Sequence, residues 1–531
     1  MNAWNAAWRD AALPELAACE WDLLVIGGGI TGAGILREAA RRGWRCLLLE
    51  QRDFAWGTSS RSSKMVHGGL RYIAKGQFRL SRDSVRERQR LLHEAPGLVE
   101  PLSFLMAHYR GGFPGPRVFG GLLALYDALA GKRNHLYYPL QQLRYLAPGL
   151  REEGLLGGTR FFDAVTDDAR LVLRVLGEAR AEGGEALNGV RVVTLHREVG
   201  RVCGLLAEDR ENGRCFTFRA KAVAQATGVW CERLHPSADG TRIRPLRGSH
   251  LLLPGWRLPL AHAFSFMHAA DGRPVFVFPW EGATVIGTTD LDHGEDLDSE
   301  ARITPAEVDY LLAACAQEFP SANIGRDDVL STWAGVRPVV SDGDLNRTPS
   351  AENREHALWV EPGHVTLAGG KLTTFRLLAL DVLRACAPFV GRAVAEDGGA
   401  VFGPVPPVEV PVLSPALRAR LMGRYGREMP ALVRLIESLG TERVGTTETL
   451  WAELAFACER ELVLHLDDLL LRRTRVGLLL ANGAAAELPR VRALCQVRLG
   501  WDDARWQVEE EAYRALWRRS YSLPDGEEPL S

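Results

Sequence analysis

Lysine is scarce in this chain and net charge almost absent. Only five of its 64 basic residues are Lys (Lys64, Lys75, Lys132, Lys221 and Lys371), and 66 acids leave a formal charge of −2. That balance argues against nucleic acid as the main partner, which would call for a strongly basic domain. Arg-rich stretches such as Arg82 to Arg90 alternate with acids and read as solvated helix faces. No run approaches the roughly 18 uncharged apolar residues of a membrane-spanning helix. The nine cysteines include no CxxC pair and none closer than Cys203 and Cys215. Such spacing fits reduced thiols in a cytosolic protein better than a disulfide framework or a zinc site. The first residues lack the basic start and apolar run of a secretory signal. What is present, 531 residues with 46% hydrophobic and 24% charged, is the composition of a globular protein. Its length implies about two or three domains.

Asp22 to Ile26 (DLLVI) is a short apolar run, expected to be a buried strand. It leads into Gly27-Gly28-Gly29-Ile30-Thr31-Gly32, a helical stretch to Arg42, and a second strand, Arg45 to Leu49, ending in Glu50. The glycines match GxGxxG. Gly27 permits the tight turn, Gly29 lets a pyrophosphate approach the backbone, and Gly32 lets helix pack on strand. The helix N-terminus offers unpaired N–H groups to phosphate, and Glu50 can accept hydrogen bonds from ribose hydroxyls. The pattern predicts a dinucleotide site without separating NAD from FAD.

The following segment is rich in Gly, Ser and Thr yet carries charge: Thr58-Ser59-Ser60, Ser62-Ser63-Lys64, then His67-Gly68-Gly69-Leu70-Arg71-Tyr72. It resembles the signature of the flavin-dependent glycerol-3-phosphate dehydrogenases. Further along, Phe161 to Leu171, Ala226-Thr227-Gly228, Arg247-Gly248-Ser249-His250, Phe278-Pro279-Trp280, Gly287 to Asp290, Gly335 to Pro338, Gly369 to Thr374 and Leu470 to Gly477 are similar to motifs of that family. There are two departures. Phe375 stands where the family often has Tyr, so a phenol there cannot be essential, and about 20 residues precede the first strand without a readable role.

The resemblance implies FAD as cofactor and sn-glycerol 3-phosphate as substrate, oxidised to dihydroxyacetone phosphate with electrons passed to membrane quinone. Arginine suits the substrate's phosphate, because its planar fork meets two oxygens at once. The family motifs point to Arg71 and Arg337, with Tyr72 as an added donor. A base must take the hydroxyl proton, and histidine is suited near neutral pH. His250 is favoured over His67, which stays a second candidate. Lys371 follows two glycines at a strand end and could serve either substrate or flavin. The cofactor itself is expected on Gly27, Gly28, Gly29, Thr31, Gly32, Glu50, Gln51, Thr58, Ser59, Ser60, Ser63, Lys64, Gly68 and Gly69. Ala226, Thr227, Gly228, Gly369, Gly370, Lys371, Leu372 and Thr373 complete that set.

The expected fold class is α/β. A Rossmann-like FAD-binding domain (21–90, 190–240 and 340–397) would carry an inserted α+β substrate or cap domain (91–189 and 241–339). Strand motifs at 22–26, 190–194, 222–227, 285–290 and 364–368 suggest this discontinuous assembly. The Pro- and Gly-rich stretch 398–415 reads as a linker, and apolar residues three and four apart beyond it predict a helical C-terminal domain, 416–531. The family role implies a cytoplasmic enzyme attached peripherally to the membrane, with Arg117 to Arg133, Phe113, Tyr137 and Tyr138 as the candidate surface. A homodimer is compatible with this reading. Three alternatives stay open: an oxygen-using oxidase, a related oxidase of amino or hydroxy acids, and a non-catalytic FAD sensor.

Overall fold

The run expected at 22–26 lies in the middle of the cofactor-binding sheet. In the computed structural model, which describes residues 3–524 except 71–72, 74–75, 132, 235–241, 342–355, 396–398, 409 and 411–412, this strand spans Glu20–Ile26. It runs parallel to Cys46–Leu49 on one side and Cys215–Gln225 on the other. Glu185–Leu187 and His364–Ala368 extend the parallel array outward. Being covered on both faces, Leu23, Leu24 and Val25 are fully buried, as a parallel central strand requires. Helices Ile30–Ala40, Asp168–Ala181 and Phe375–Val390 share one apolar core with this sheet. Phe375 is buried in this core: a Cβ on Gly34 would come 2.7 Å from its ring, so the ring fills the gap between their two helices.

A second, ten-stranded mixed sheet stands beyond the first. Its long strand Arg242–Pro254 pairs antiparallel with Ala283–Gly287 and with Ser331–Ser341. The motif at 285–290 lies in this second sheet, within the bounds 241–339, because Ala283–Gly287 pairs with Arg242–Pro254 and Pro274–Trp280. Two expectations shift here. Asp168–Ala181 and Glu185–Leu187 belong to the cofactor layer, where the strand continues the parallel array, although 91–189 was expected to be cap. Met65–Val66, expected in the cofactor domain, pairs with Leu155–Thr166 of the second sheet.

Arg82–Arg90 is not a uniformly solvated face. It lies on helix Phe78–Glu94, whose Glu87 binds Arg376 (2.6 Å) and whose Arg88 is buried beside Asp163 and Tyr126. Part of the proline-rich stretch is likewise anchored. Arg37 donates to the Val401 carbonyl (2.7 Å), and Val401 and Phe402 are buried.

Helices Pro415–Tyr425, Met429–Leu439, Trp451–Arg460, Leu488–Leu499 and Asp503–Ser520 form the C-terminal domain. Buried ion pairs dock it. Arg473 grips both carboxylate oxygens of Asp53 at 2.6 Å, and Arg475 reaches Asp167 (2.9 Å) and Asp168 (2.6 Å). The family's two acidic and basic stretches, Phe161–Leu171 and Leu470–Gly477, thus meet each other. The residues before the first strand are also structural. Helix Ala6–Ala17 carries the buried Arg9 to Asp209 (2.6 Å), and Trp4 stacks on Phe54.

Candidate active site

Loops leaving the carboxyl ends of the parallel strands form one cleft of about 450 Å³. Gly27–Thr31 follow Glu20–Ile26, Glu50 and Gln51 follow Cys46–Leu49, Ala226–Gly228 follow Cys215–Gln225, and Gly369–Leu372 follow His364–Ala368. Val190 to Val193 close the far edge beyond Glu185–Leu187. Five adjacent parallel strands at about 4.8 Å spacing give a cleft about 19 Å wide, the span of an extended dinucleotide. This is where open α/β sheets bind their ligands.

The glycines work as their spacing requires. Gly27 has φ +108°, and a Cβ there would lie 2.5 Å from the Ala226 carbonyl oxygen. A Cβ on Gly32 would lie 1.8 Å from the Gly27 oxygen, so helix Ile30–Ala40 could not approach its strand. Glu50 accepts from the backbone N–H of Gly28 (2.6 Å) and Arg52 (2.8 Å). Burial raises its pKa, and these two N–H donors oppose the shift. Ser59 Oγ accepts from Ile30 N at 3.0 Å, tying the Thr58–Ser60 turn to the helix start.

Of the expected cofactor residues, Gly27, Gly29, Thr31, Glu50, Gln51, Thr58, Ser59, Ala226–Gly228 and Gly369–Leu372 line the cleft. Gly28, Gly32, Ser60, Ser63 and Thr373 do not line it. Gly68 and Gly69 are elsewhere: Gly68 N donates to Asp163 (2.9 Å), and the Gly69 carbonyl accepts from Ser81 (3.1 Å). Lys64 is the clearest correction. Its side chain is fully buried, bound to Asp168 at 2.8 Å and flanked by Trp280 and Trp333. Burial lowers its pKa to about 8, with Asp168 opposing and Arg475 reinforcing the shift. It is an internal counter-ion and does not face the cleft.

A second cluster adjoins the cleft on the antiparallel strands. Strand pairing sets His250 opposite both Gly287 and Trp333, and Arg337 opposite Leu246. The His250 ring stacks on Trp333, centroids 4.8 Å apart, and its Nε2 lies 2.9 Å from Ser63 Oγ. Burial, then the charges of Arg337 and Lys64, holds this imidazole well below its usual pKa, so it is neutral at physiological pH. Arg337 binds Asp290 (2.9 Å) and Thr288 Oγ1 (3.1 Å) and keeps a quarter of its side chain exposed. Two glycines make the room. A Cβ on Gly248 would meet Arg337 Nη2 at 2.4 Å, and one on Gly287 would meet His250 Cδ2 at 2.2 Å. The cluster touches the cleft through Pro338, which lines it, and through Val336, whose carbonyl accepts from Thr58 Oγ1. His67 does not line the cleft, but its carbonyl accepts from Thr373 Oγ1 (3.4 Å), two residues from Lys371. Arg71 and Tyr72 lie outside the described residues.

A family model described as FAD dependent oxidoreductase matches residues 22–376, and one described as the C-terminal domain of alpha-glycerophosphate oxidase matches 367–506. The aerobic glycerol-3-phosphate dehydrogenase of Bacillus subtilis (strain 168) is 32% identical over 88% of this chain and 89% of its own length. The chain belongs to the FAD-dependent glycerol-3-phosphate dehydrogenase family. Glycerol-3-phosphate dehydrogenase 2 of Mycobacterium tuberculosis (strain ATCC 25618 / H37Rv) is 33% identical over 97% of this chain and 91% of its own. The solved glycerol-3-phosphate dehydrogenase of Bacillus halodurans, complexed with FAD, matches with a TM-score of 0.76 and 29% identity. That match covers 96% of this chain and 98% of the other.

As a member of this family the protein uses FAD, and its residues fit that group. The cradle at Gly27 and Gly29 leaves backbone approachable, Glu50 closes the second strand, and Val190, Val192 and Val193 offer an apolar wall. Sequence reasoning missed this wall, along with Trp56 and Trp230, which pack 5.7 Å apart at the cleft. It also assigned no role to Thr288, Asp290 or Trp333. The first two stood inside a quoted motif, but Trp333 reaches His250 only through strand pairing.

Proposed function

We propose that this enzyme oxidises sn-glycerol 3-phosphate to dihydroxyacetone phosphate at the cluster beside the cleft and passes the electrons to membrane quinone. One observation carries the reading: a partly exposed Arg337 and a buried neutral His250 sit on neighbouring strands, joined to the cofactor cleft through Pro338. Bound FAD supplies the acceptor for the hydride from the carbinol carbon. Arg337 meets the phosphate with its fork, and Asp290, which Arg273 also binds at 3.1 Å, remains compensated when that happens. His250 accepts the hydroxyl proton, because a neutral imidazole is the form able to do so. Ser63 and Trp333 fix the ring's orientation. Lys371 supplies a cation to the cleft, available to substrate or cofactor. Arg71, Tyr72 and His67 keep the roles that the family motifs suggest.

Peripheral attachment on the cytoplasmic side completes the reading. No described helix is long and apolar enough to cross a membrane. Helix Pro116–Ala130 buries Phe119, Leu123 and Tyr126 but turns Val118 and Leu125 outward, near exposed Phe113, Leu136, Tyr137, Tyr145 and Leu156. Such an apolar surface with Arg110, Arg117, Arg133 and Arg144 exposed nearby suits an anionic bilayer interface.

The decisive experiment mixes purified holoenzyme with sn-glycerol 3-phosphate without oxygen and follows the flavin absorbance. Bleaching is expected, followed by reoxidation that is faster with a soluble quinone than with oxygen. A flavin that stays oxidised, while another alcohol or an amine reduces it, would overturn the substrate. Rapid peroxide formation with a sluggish quinone reaction would overturn the acceptor.

A further inference from the structure

Where helix Asp168–Ala181 of the cofactor layer faces the first C-terminal helices, a cavity of about 40 Å³ remains between them. Its walls share no residue with the cofactor cleft. On this measure one water needs about 10–15 Å³, so the space holds three or four oxygen-sized positions. Six arginines form its walls. Arg170, Arg174 and Arg180 come from the helix, and Arg424, Arg427 and Arg460 come from the C-terminal domain.

The lining carboxylates number three, and they are already shared. Glu178 serves both Arg174 and Arg427, Glu461 binds Arg170, and Glu428 binds Arg460 at 3.2 Å. Arg424 turns toward Asp167 (2.7 Å) and Glu281 (3.1 Å), Arg180 toward Glu185 (3.6 Å) and Arg427 also toward Glu182 (3.1 Å), none of which lines the cavity. The Nε groups of Arg170, Arg174 and Arg424 are buried and meet no hydrogen-bond acceptor among the described residues. Burying charge and donors without partners is costly. The like charges are felt unevenly: burial lowers the Arg174 pKa, Glu178 opposes, and neighbouring Arg170 and Arg427 reinforce the lowering, whereas carboxylates outweigh burial at Arg170 and Arg424 and raise theirs. The inner wall is buried, whereas Arg427 and Arg460 keep 31% and 23% of their side chains exposed and so form an open rim.

We propose that this junction binds a tetrahedral oxyanion of the size of inorganic phosphate, whose oxygens accept from guanidinium groups of both walls. An anion held there ties the C-terminal domain to the cofactor layer. Its chemistry is that of arginine clusters elsewhere, which hold phosphate through charge-assisted hydrogen bonds.

The test is thermal unfolding of the holoenzyme titrated with inorganic phosphate, against potassium chloride at equal ionic strength. A saturable rise in melting temperature, above the chloride control, is expected. Arg427→Gln combined with Arg460→Gln should abolish the rise. Gly177→Leu should do the same without removing a charge, since Gly177 lines the cavity and a Cβ there meets only open space. Each titration is made in the Arg337→Ala background, which strips the other phosphate-binding cluster, so the rise reports this junction alone and should be present there. The proposal falls if phosphate acts no differently from chloride, or if the rise survives in Gly177→Leu. It falls equally if the rise disappears in Arg337→Ala. Should the double Arg variant fail to hold FAD, Gly177→Leu decides alone.

Discussion

The site depends on two glycines that donate nothing to it. Gly287 has only hydrogen where a Cβ would lie 2.2 Å from His250 Cδ2. Gly287→Ala therefore pushes the imidazole off Ser63 by about 1 Å, and misplacement of that size costs about 100-fold in rate. Anaerobic stopped-flow flavin reduction, with FAD content measured alongside, checks this; a fully loaded variant reducing at the normal rate would refute it. Arg337→Ala is expected to lose about 10- to 100-fold in kcat/KM, since hydrogen bonds to charged groups contribute about 1.5–3 kcal/mol. Asp290 retains Arg273, so no buried carboxylate is orphaned and the variant should fold. Steady-state kinetics with the phosphate ester and with plain glycerol separates the effects. The loss belongs to the ester alone. The residue types here were readable, because histidine, arginine and glycine sat in recognisable stretches. Lys64 was misjudged for the same reason: its motif is local, but its partner Asp168 is about a hundred residues away and fully buried.

Elements dock here through charge as well as apolar surface. Asp53 lies in the turn after the second strand, and its carboxylate meets Arg472 and Arg473 from the C-terminal domain. Burial alone would raise its pKa, but the two guanidinium groups outweigh that and hold it well below the usual carboxylate range. Removing one member of a buried pair costs about 3–5 kcal/mol. Asp53→Ala should show that loss in urea unfolding of the holoenzyme, and a change under about 1 kcal/mol would contradict the docking role. His465 links Glu211 to Glu509 at 3.1 Å each. Burial disfavours its charge, but those two hydrogen bonds prevail and raise its pKa to about 11. A raised pKa stabilises fully below the unfolded value, near 6.5, and the contribution drains away as pH climbs toward 11. The ring is partly exposed, so solvent screens the effect. The melting-temperature gap between wild type and His465→Gln should be widest below about pH 6.5 and close on the alkaline side. A gap that widens with pH would reverse this assignment. Helices and strands themselves were largely legible from periodicity. Their sheet membership was less so: Glu185–Leu187 reads like any short apolar strand, and only its parallel pairing with Cys46–Leu49 puts it in the cofactor-binding sheet.

At the scale of the molecule, loops of the first sheet and Pro338 of the second share a cleft, a helical domain docks through buried ion pairs, and helix Pro116–Ala130 turns Val118 and Leu125 outward on one face. If that face meets the bilayer, Phe113→Asp with Val118→Asp and Leu125→Asp should abolish co-sedimentation with anionic vesicles while anaerobic flavin reduction stays normal. Wild-type protein that stays in the supernatant would sink the attachment. The dinucleotide turn, the acidic end of the second strand and the helical C-terminus are legible without any structure. Each is written in contiguous residues whose spacing has one physical reading: small residues where backbone must approach backbone, and apolar residues at the helical period. Which charged side chains stay partly open and which are buried against partners is set by packing across the chain. Arg337 keeps a quarter of its side chain exposed beside the cleft while Lys64 is sealed against Asp168 between two tryptophans, and His250 is neutral because burial and two cations surround it. Desolvation and through-space charge depend on what the whole chain packs nearby, and no local spacing encodes that.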